Sequence, residues 1–326
     1  MPFLQVEHLG VTIRRDNGTT VHPVSDLSLS VEPGRTLALV GESGCGKSMT
    51  CLALAGLLPR RATISAGSVR LDGVDLASLP CTRARDLRRR TMASVFQDAT
   101  GSLNPVRPIG WQIAEAQRLR QGTPRREAWD HAVRLLGRVG IANPEARARD
   151  YPHRFSGGMN QRAMIALAIA GSPRLLIADE ATTALDVTIQ AQILDLIADL
   201  QSEMSMAVVF VTHDLGVVAR VADTVAVMYA GRVVETAPVR DLFTTPRHPY
   251  TQGLLASLPR VDQDTAQLAT IEGTVPPLDA MPRGCVFAPR CGRADLDCNL
   301  RFPGSTTDRT GRTVACHHPG ADRRAA

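Results

Sequence analysis

The chain has 326 residues, of which 44% are hydrophobic, 21% charged and 4% aromatic, a composition typical of a soluble globular protein with one large domain or two unequal domains. Its apolar runs fall short of the about 18 residues that a membrane-spanning helix needs, and residues 1–7 lack the features of a signal peptide. We therefore expect a cytosolic chain whose seven cysteines do not form structural disulfides. The net charge of +5 is a mild excess that gives nucleic-acid binding little support.

The first part of the chain has the pattern of short strands around a nucleotide-binding unit. A buried strand is predicted at Thr36–Val40 and an apolar helix at Ser48–Leu58. Further strands, which we expect to form an antiparallel β portion beside this unit, are predicted at Leu4–Leu9, Val11–Arg14, Leu27–Val31 and Val69–Leu71.

A glycine-rich motif joins the buried strand to the helix: residues 41–48 match G-x-x-x-x-G-K-[ST] at every fixed position. The glycines let successive backbone N–H groups face one anion, and the helix N-terminus adds its positive dipole end. We expect Lys47 to contact the β- and γ-phosphates and the Ser48 hydroxyl to ligate Mg²⁺. Lys47 is the one lysine beside 36 arginines, which indicates a site where the compact ammonium is required. The predicted nucleotide-binding residues are Gly41, Ser43, Gly44, Cys45, Gly46, Lys47, Ser48 and Met49.

The densest basic cluster of the chain follows, with five arginines in residues 83–90. No aromatic residues are interleaved with them, so we interpret the cluster as a solvated helix face rather than a nucleic-acid patch. Beyond it, a strand is predicted at Met92–Phe96 and helices at Ile109–Gln121 and Pro124–Val139.

Two acids end the apolar run at residues 174–180. The run is typical of a core strand that delivers Asp179 and Glu180 to its C-terminal edge. In isolation such a pair would more often be a helix N-terminal charge feature. Together with the phosphate-binding motif it favours ATP hydrolysis, in which Asp179 holds Mg²⁺ and Glu180 orients or deprotonates the attacking water.

A second anion site is predicted where Ser156, Gly157 and Gly158 precede the helical run Ala163–Ala170. One ATP rarely needs two such sites from one subunit. At this point the sequence resembles the nucleotide-binding subunits of ABC transporters, in which the signature motif of one subunit covers the γ-phosphate of ATP held by its partner. The resemblance implies head-to-tail dimers. The implied signature residues are Ser156, Gly157, Gly158 and Gln161.

The order of the remaining motifs fits this family. Gln97 follows the strand Met92–Phe96, Thr183-Ala184-Leu185-Asp186 follows the acid pair, and His213 follows a predicted strand at Ala207–Val211. By resemblance, Gln97 senses magnesium and the membrane domains, Asp186 lies at the dimer interface, and His213 contacts the γ-phosphate. The implied catalytic residues are Glu180, His213 and Gln97, and the implied magnesium ligands are Ser48, Gln97 and Asp179.

Three further segments of the sequence resemble one branch of the family, the ATP-binding subunits of oligopeptide and dipeptide importers. Some relatives in this branch import nickel or other small solutes. These matches lie in residues 97–105, 186–192 and 248–252. The sequence departs from the family pattern at Phe155 and Ala181, where leucine and proline are usual, and at Ile13 or its neighbours, where an aromatic residue often stacks on adenine. The residue that contacts the base is therefore not assigned.

Four cysteines crowd the C-terminal tail with the spacing C-x5-C-x6-C-x17-C. Four thiols in a short segment with little apolar material favour a metal site over disulfides, although the C-x2-C pairs of common zinc sites are missing. By resemblance to the peptide-importer branch we expect a four-iron four-sulfur cluster, with zinc and free thiols as alternatives. The expected ligands are Cys285, Cys291, Cys298 and Cys316.

The resemblance implies an α/β fold, that of a P-loop NTPase of the ABC nucleotide-binding type, with a RecA-like core, an antiparallel β subdomain and a helical signature subdomain. We expect this domain to span residues 1–245, with the helical part at about 107–170, and a C-terminal extension with the four-cysteine site at 246–326. A non-transport ABC ATPase that acts on nucleic acid or ribosomes is an alternative from another class. A free-standing P-loop kinase would leave the signature motif without a purpose.

The expected partners also follow from the resemblance. They are a homologous ATPase subunit, with a paralogue in a heterodimer favoured, and two transmembrane permease subunits at the cytoplasmic face of the inner membrane. An extracytoplasmic solute-binding protein would act indirectly, and nucleic acid is not an expected partner.

Overall fold

The computed structural model describes residues 1–182, 186–258 and 270–320. The chain forms two compact units that alternate along the sequence. Unit 1 comprises residues 1–4, 31–35 and 70–211, and unit 2 comprises residues 5–30, 36–69 and 212–326. The expected boundary between residues 245 and 246 stays a prediction.

The described residues form twelve strands and twelve α-helices. The strands are β1 (Leu4–Arg14), β2 (Thr20–Val31), β3 (Thr36–Val40), β4 (Ala62–Leu71), β5 (Val74–Asp75), β6 (Met92–Val95), β7 (Leu175–Asp179), β8 (Ala207–Val211), β9 (Thr224–Tyr229), β10 (Arg232–Pro238), β11 (Thr306–Thr307) and β12 (Thr313–Val314). The helices are α1 (Lys47–Ala55), α2 (Cys81–Thr91), α3 (Ala99–Ser102), α4 (Ile109–Gln121), α5 (Arg125–Arg138), α6 (Pro144–Arg147), α7 (Gly157–Ile169), α8 (Val187–Met204), α9 (Leu215–Val221), α10 (Val239–Thr244), α11 (Pro249–Ala256) and α12 (Leu296–Leu300). Among these helices, none has the length and apolar character that crossing a membrane requires.

Unit 1 contains a parallel sheet in which β7 lies between β6 and β8. The first four residues of β7 are buried, as expected for a parallel strand covered on both faces. Val95 of β6 pairs with Ala178, and Asp179 pairs with Val211 of β8. The strands therefore end at one edge, where polar side chains from different strands collect.

The helices of unit 1 form a second group, in which α4 packs against α5 and both contact α7. Their buried positions recur at helical spacing, for example Ala128, Ala132, Leu135 and Leu136 of α5. These helices thus pack against α7, which begins at the sequence motif Ser156-Gly157-Gly158.

Unit 2 contains a parallel pair, β3 and β9, which continues through antiparallel pairing into β10, β12 and β11. Separately, β1 lies between β2 and β4, and buried residues alternate with exposed ones along much of β2 because one face is covered. The apolar cluster around β3 and β9 includes residues of the C-terminal extension, among them Tyr250, Cys285 and Phe287. The extension is thus part of the core of unit 2.

Several predicted element boundaries need correction. Leu4–Arg14 is one continuous strand rather than two, because Gly10 continues the extended backbone. The helix after the glycine motif ends at Ala55 instead of Leu58, where Gly56 adopts a left-handed φ of 72° and caps it. The prediction of a solvated arginine helix is confirmed: α2 spans Cys81–Thr91, and of its residues Ala84 is buried.

Candidate functional site

The phosphate-binding loop of unit 2 connects the fully buried β3 to α1. Gly41 and Gly46 have positive φ values of 154° and 105°. A Cβ atom on Gly41 would lie 2.1 Å from the Met228 carbonyl oxygen, and one on Gly46 would lie 2.4 Å from the Pro23 carbonyl oxygen. Both positions therefore require glycine, which explains the fixed glycines of the motif.

The side chain of Lys47 lies inside this loop, and the residue is only 6% exposed. Its Nζ donates to the carbonyl oxygens of Gly41 and Glu42, at 2.8 and 3.0 Å. Ser43, Gly44 and Ser48 are exposed, whereas Cys45 is buried and Met49 half-buried. The loop thus holds the ammonium among backbone carbonyls and leaves the Ser48 hydroxyl accessible to a ligand.

The first turn of α1 is suited to an anion. Gly46 caps it without a side-chain hydrogen bond, and no acidic residue lies in this turn. The positive end of the helix dipole is therefore not neutralised by a carboxylate of its own first turn.

The acid pair lies at the end of β7 in unit 1. Asp179 and Glu180 are both half-buried. The N–H of Glu180 donates to the carbonyl of Val211 at 2.9 Å. Glu180 has a φ of 49°, a left-handed conformation that a residue with a Cβ rarely adopts. The sheet thus turns the backbone sharply at the residue that the sequence assigns to catalysis.

Gln97 lies near the same edge of the sheet, two residues after β6. It is exposed, and the adjacent Asp98 caps α3 by accepting the N–H of Gly101 at 2.8 Å. Because β6 is parallel to β7, Gln97, Asp179 and Glu180 are brought to one edge.

His213 belongs to unit 2 and is exposed. The preceding Thr212 donates its N–H to the carbonyl of Leu39, at the end of β3, at 3.3 Å. The following Asp214 caps α9 by accepting the N–H groups of Gly216 and Val217. This anchoring brings His213 near the start of the phosphate-binding loop.

The predicted signature motif opens α7 in unit 1. Ser156 is the N-cap, and its Oγ accepts the N–H of Met159 at 3.3 Å. Ser156 and Gly157 are exposed, and Gly158 is half-buried. Gln161 differs from these residues because it is buried and its Nε2 donates to the carbonyl of Ala181. The structure thus links Gln161 to the residue after Glu180, while its assignment to a partner's ATP stays a prediction.

Asp186 is exposed and caps α8, where its carboxylate accepts the N–H of Ile189 at 2.9 Å. Next to it, Val187 is 82% exposed, which is unusual for a large apolar side chain. The other residues of the predicted dimer-interface motif, Thr183, Ala184 and Leu185, lie outside the described residues.

The four tail cysteines line one pocket in unit 2, together with His248, Phe287 and His318. None forms a disulfide; Cys285 and Cys298 are buried, and Cys291 and Cys316 are half-buried. Burial raises the pKa of Cys316 to about 11, and the nearness of the other three thiols acts in the same direction. The four thiols therefore surround one pocket, while their assignment as metal ligands stays a prediction.

The backbone around this pocket can stabilise sulfur ligands. The N–H of Arg293 donates to the Sγ of Cys291 and the N–H of His318 donates to the Sγ of Cys316, each at 3.4 Å. Such N–H donors favour the thiolate form that metals bind. The residues present thus fit a metal group held by four thiolates.

A surface pocket in unit 1 was missed by the sequence analysis. It lies between α4 and α5 and is lined by both tryptophans of the chain, Trp111 and Trp129, with Arg118, Arg125 and Arg126. Arg107 stacks over the ring of Trp111 at 4.7 Å. Two tryptophans at a partly open surface are typical of a partner site, and their rarity in this sequence is a signal that could have found it.

Two family models match the chain. The model for ABC transporters matches residues 24–183, and the model for the oligopeptide/dipeptide transporter C-terminal region matches residues 234–298. The first match contains both the phosphate-binding loop and the acid pair. The second contains three of the four tail cysteines.

Curated relatives cover most of the chain and carry names that assign them to peptide import as ATP-binding proteins. One from Brucella abortus strain 2308 is 51% identical over 314 residues, which are 93% of this chain and 93% of the relative. Another, from Brucella suis biovar 1 strain 1330, is 50% identical over 297 residues, which are 91% of this chain and 89% of the relative.

Solved ATP-binding cassettes have the same fold. The dimeric cassette MJ0796, in a post-hydrolysis state bound to ADP and Pi, matches with a TM-score of 0.65 and 25% identity over 73% of this chain and 99% of that chain. The cassette cbiO1 from Clostridium perfringens, part of the ABC transporter complex cbiONQ, matches with a TM-score of 0.62 and 26% identity over 74% and 90%. The predicted fold class is therefore confirmed, and the chain belongs to the ABC transporter family as an ATP-hydrolysing cassette with the C-terminal region of oligopeptide and dipeptide transporters.

Proposed function

We propose that this ATPase powers the import of peptides through an ABC transporter. The observation that carries the proposal is the C-terminal region at residues 234–298, because it is the part that matches oligopeptide and dipeptide transporters rather than ABC ATPases in general. The names of relatives about 50% identical over more than 90% of the chain support the same substrate class.

Within the cassette, we assign ATP binding to the loop at residues 41–49. Lys47 and the backbone N–H groups at the start of α1 hold the β- and γ-phosphates. Ser48, Asp179 and Gln97 hold Mg²⁺, which neutralises charge that develops on the phosphates. Glu180 orients or deprotonates the water that attacks the γ-phosphate, and His213 contacts that phosphate.

We assign the signature residues Ser156, Gly157 and Gly158 to the ATP of a second cassette. This assignment is supported by the exposed start of α7 and by the dimeric solved cassette. The exposed Asp186 and Val187 suit the same interface. Because one chain supplies one phosphate loop and one signature motif, a homologous subunit must supply the other pair. We propose a paralogue, which gives a heterodimer.

The tryptophan pocket between α4 and α5 is proposed to receive one of two transmembrane permease subunits. Its aromatic rings and surrounding arginines suit a protein segment that is partly apolar. The chain would then lie at the cytoplasmic face of the membrane, and an extracytoplasmic solute-binding protein would deliver the solute to the permease. We retain residues 1–245 as the cassette and 246–326 as its extension.

We propose that Cys285, Cys291, Cys298 and Cys316 hold a four-iron four-sulfur cluster with a structural role. A single zinc ion would bring four sulfurs to within about 4 Å of one another, given Zn–S bonds of about 2.3 Å. Among the described residues, the three donor atoms that lie within 4.8 Å of one another belong to Asp295, Cys298 and His318, and only one of them is a thiol. The four thiols around one pocket support the cluster, while the group of Asp295, Cys298 and His318 keeps zinc as the alternative.

Purification of the membrane-extracted complex under anaerobic conditions tests these assignments. Mass mapping identifies the copurifying chains, and iron and zinc are assayed on the same sample. We expect a second ATPase, two membrane proteins and about four irons for this subunit. Copurification with nucleic acid or ribosomes instead of membrane proteins would refute the transport assignment.

A further inference from the structure

The second residue of the phosphate-binding loop, Glu42, is bound to the C-terminal extension through both its side chain and its backbone. Nη1 of Arg290 donates to the two carboxylate oxygens of Glu42, at 3.0 and 2.9 Å. The N–H of Glu42 donates to the hydroxyl of Tyr250 at 2.9 Å. The carbonyl of Glu42 in turn accepts Nζ of Lys47. One residue thus connects the phosphate-binding lysine to two side chains that lie 208 and 248 positions later.

Arg290 is itself fixed by further contacts. Its Nε donates to the carbonyl of Glu272 at 2.9 Å and its Nη2 to the carbonyl of Ile271 at 3.0 Å. Nη1 also lies 3.4 Å from the hydroxyl of Tyr229. The side chain of Arg290 is only 5% exposed and that of Glu42 is 29% exposed, so this ion pair is partly shielded from water and salt, unlike a fully exposed surface pair.

The segment that carries Arg290 also carries two of the four thiols. Within residues 285–291, the N–H of Ala288 donates to the carbonyl of Cys285 at 3.0 Å, and the N–H of Cys291 donates to the carbonyl of Ala288 at 3.2 Å. Arg290 directly precedes Cys291. Because the turn is closed by these hydrogen bonds, a displacement of either thiol also displaces the guanidinium.

An aromatic cluster provides a second connection. The ring of Phe287 lies 5.2 Å from that of Tyr229 and 5.4 Å from that of Tyr250, between ring centroids. Tyr250 is fully buried. The cysteine segment therefore contacts both groups that hold Glu42, which are Arg290 through the backbone and Tyr250 through Phe287.

We propose that Arg290 is a positioning residue for ATP binding, which couples the phosphate-binding loop to the state of the thiols of Cys285 and Cys291. The proposal rests on the four-cysteine site proposed above. While the thiols hold their group, the turn is fixed and Arg290 keeps Glu42 in the conformation that binds phosphate. Loss of the group, or modification of the thiols, loosens the turn and weakens MgATP binding. Since such coupling is reciprocal in free energy, MgATP must also stabilise the bound group, and we expect this to appear as slower loss of the group.

The first test compares Arg290→Met with Arg301→Met in the assembled complex. Arg301 lies in the same extension and forms an exposed ion pair with Asp297, so it serves as a matched control. We expect the Kd of a fluorescent ATP analogue with Mg²⁺ to rise about 10-fold for Arg290→Met and less than about 2-fold for Arg301→Met. The KM for ATP should rise in parallel, while kcat at saturating ATP stays within about 2-fold.

Two further variants separate positioning from folding. Glu42→Gln keeps the backbone contacts of the loop and removes the ion pair, so its Kd should rise as in Arg290→Met. Arg290→Lys keeps the charge but cannot reproduce the planar fork, and should fall between the wild type and Arg290→Met. A Kd within 2-fold of the wild type in both Arg290→Met and Glu42→Gln would overturn the proposal.

The second test measures reciprocity without using activity. Iron release from the anaerobic complex to a chelator is followed with and without MgATP. We expect MgATP to slow release several-fold in the wild type and to have no effect in Arg290→Met. If the complex contains neither iron nor zinc, the proposed cluster is wrong. The rate of alkylation of Cys291, with and without MgATP, is then measured instead of iron release. Equal rates with and without MgATP overturn the coupling in either case.

Discussion

The two glycine-rich helix starts of this chain, at α1 and α7, are built differently although both are suited to an anion. At α1 the N-cap is Gly46, whose position is crowded by the carbonyl of Pro23, and the neighbouring Lys47 is buried. At α7 the N-cap Ser156 uses its hydroxyl on its own helix, and a Cβ on Gly157 would meet no described atom within 4 Å.

This difference indicates that the two helix starts have different roles in ATP binding and turnover. At α1 the lysine is buried by its own chain, so we expect this site to bind a nucleotide by itself. The α7 site is an open surface, which suits contact with a ligand held by another subunit. Changes at α1 should therefore affect ATP binding, and changes at α7 should affect turnover in the assembled complex.

The largest effect is expected at the enclosed site. Lys47→Ala removes the ammonium that lies between the carbonyls of Gly41 and Glu42 and that we expect to meet the phosphates. We predict that the Kd for MgATP, measured with a fluorescent analogue, rises at least about 100-fold. Ser156→Ala at the other helix start is the control and should bind within about 2-fold of the wild type. An equal rise in Kd in the two variants would contradict the distinction between the α1 and α7 sites.

A negative charge at the start of α7 should reduce ATP turnover and leave the Kd for ATP unchanged, the opposite of the result expected at α1. Gly157→Asp introduces a carboxylate where we expect a partner's γ-phosphate, without a steric clash in the free chain. We predict that ATP turnover of the assembled complex falls about 100-fold, as for loss of a group that stabilises a transition state. The Kd of the isolated chain should not change. Turnover within 2-fold of the wild type would show that α7 faces no nucleotide.

Stability gives a smaller contrast. Gly46→Ala brings a Cβ to 2.4 Å from a carbonyl oxygen at a left-handed φ, so we expect a loss of about 3 kcal/mol in the free energy of unfolding. Gly157→Ala should be neutral or gain up to about 1 kcal/mol, because alanine favours a helix more than glycine does and its Cβ meets no described atom within 4 Å. Thermal melts of the two isolated variants measure the difference, and similar melting temperatures would contradict the crowding argument.

The smallest expected effect concerns capping. Ser156→Ala removes the acceptor for the N–H of Met159 and should cost about 1 kcal/mol. Ser48→Ala should cost less, because Ser48 is exposed on the first turn of α1 and Gly46 is the cap there. Denaturant titration of the two variants distinguishes them. A larger loss for Ser48→Ala would mean that its hydroxyl has a structural role.

Local features were accessible from the sequence. The helix Ile109–Gln121 and the strand Ala207–Val211 have the predicted bounds, because their apolar patterns are uninterrupted and proline or glycine marks the helix ends. The phosphate-binding loop was also predictable, since its geometry depends on glycines within eight residues.

Contacts between distant segments were not accessible. Tyr250 lies within a segment that carries family resemblance and Arg290 directly precedes Cys291, but nothing local indicates that both reach Glu42. The burial of Gln161 against the carbonyl of Ala181 was missed for the same reason. Such pairings depend on how the core is assembled, which periodicity and spacing do not specify.

The most direct test of the account is peptide-dependent ATP turnover. The assembled complex, with its solute-binding protein, is reconstituted in proteoliposomes and assayed with a peptide mixture, with Ni²⁺ and without solute. We predict that peptides raise turnover several-fold, that Ni²⁺ does not, and that Glu180→Gln abolishes turnover while ATP still binds. Turnover that is indifferent to peptides would contradict the proposed function, and wild-type turnover in Glu180→Gln would contradict the catalytic assignment.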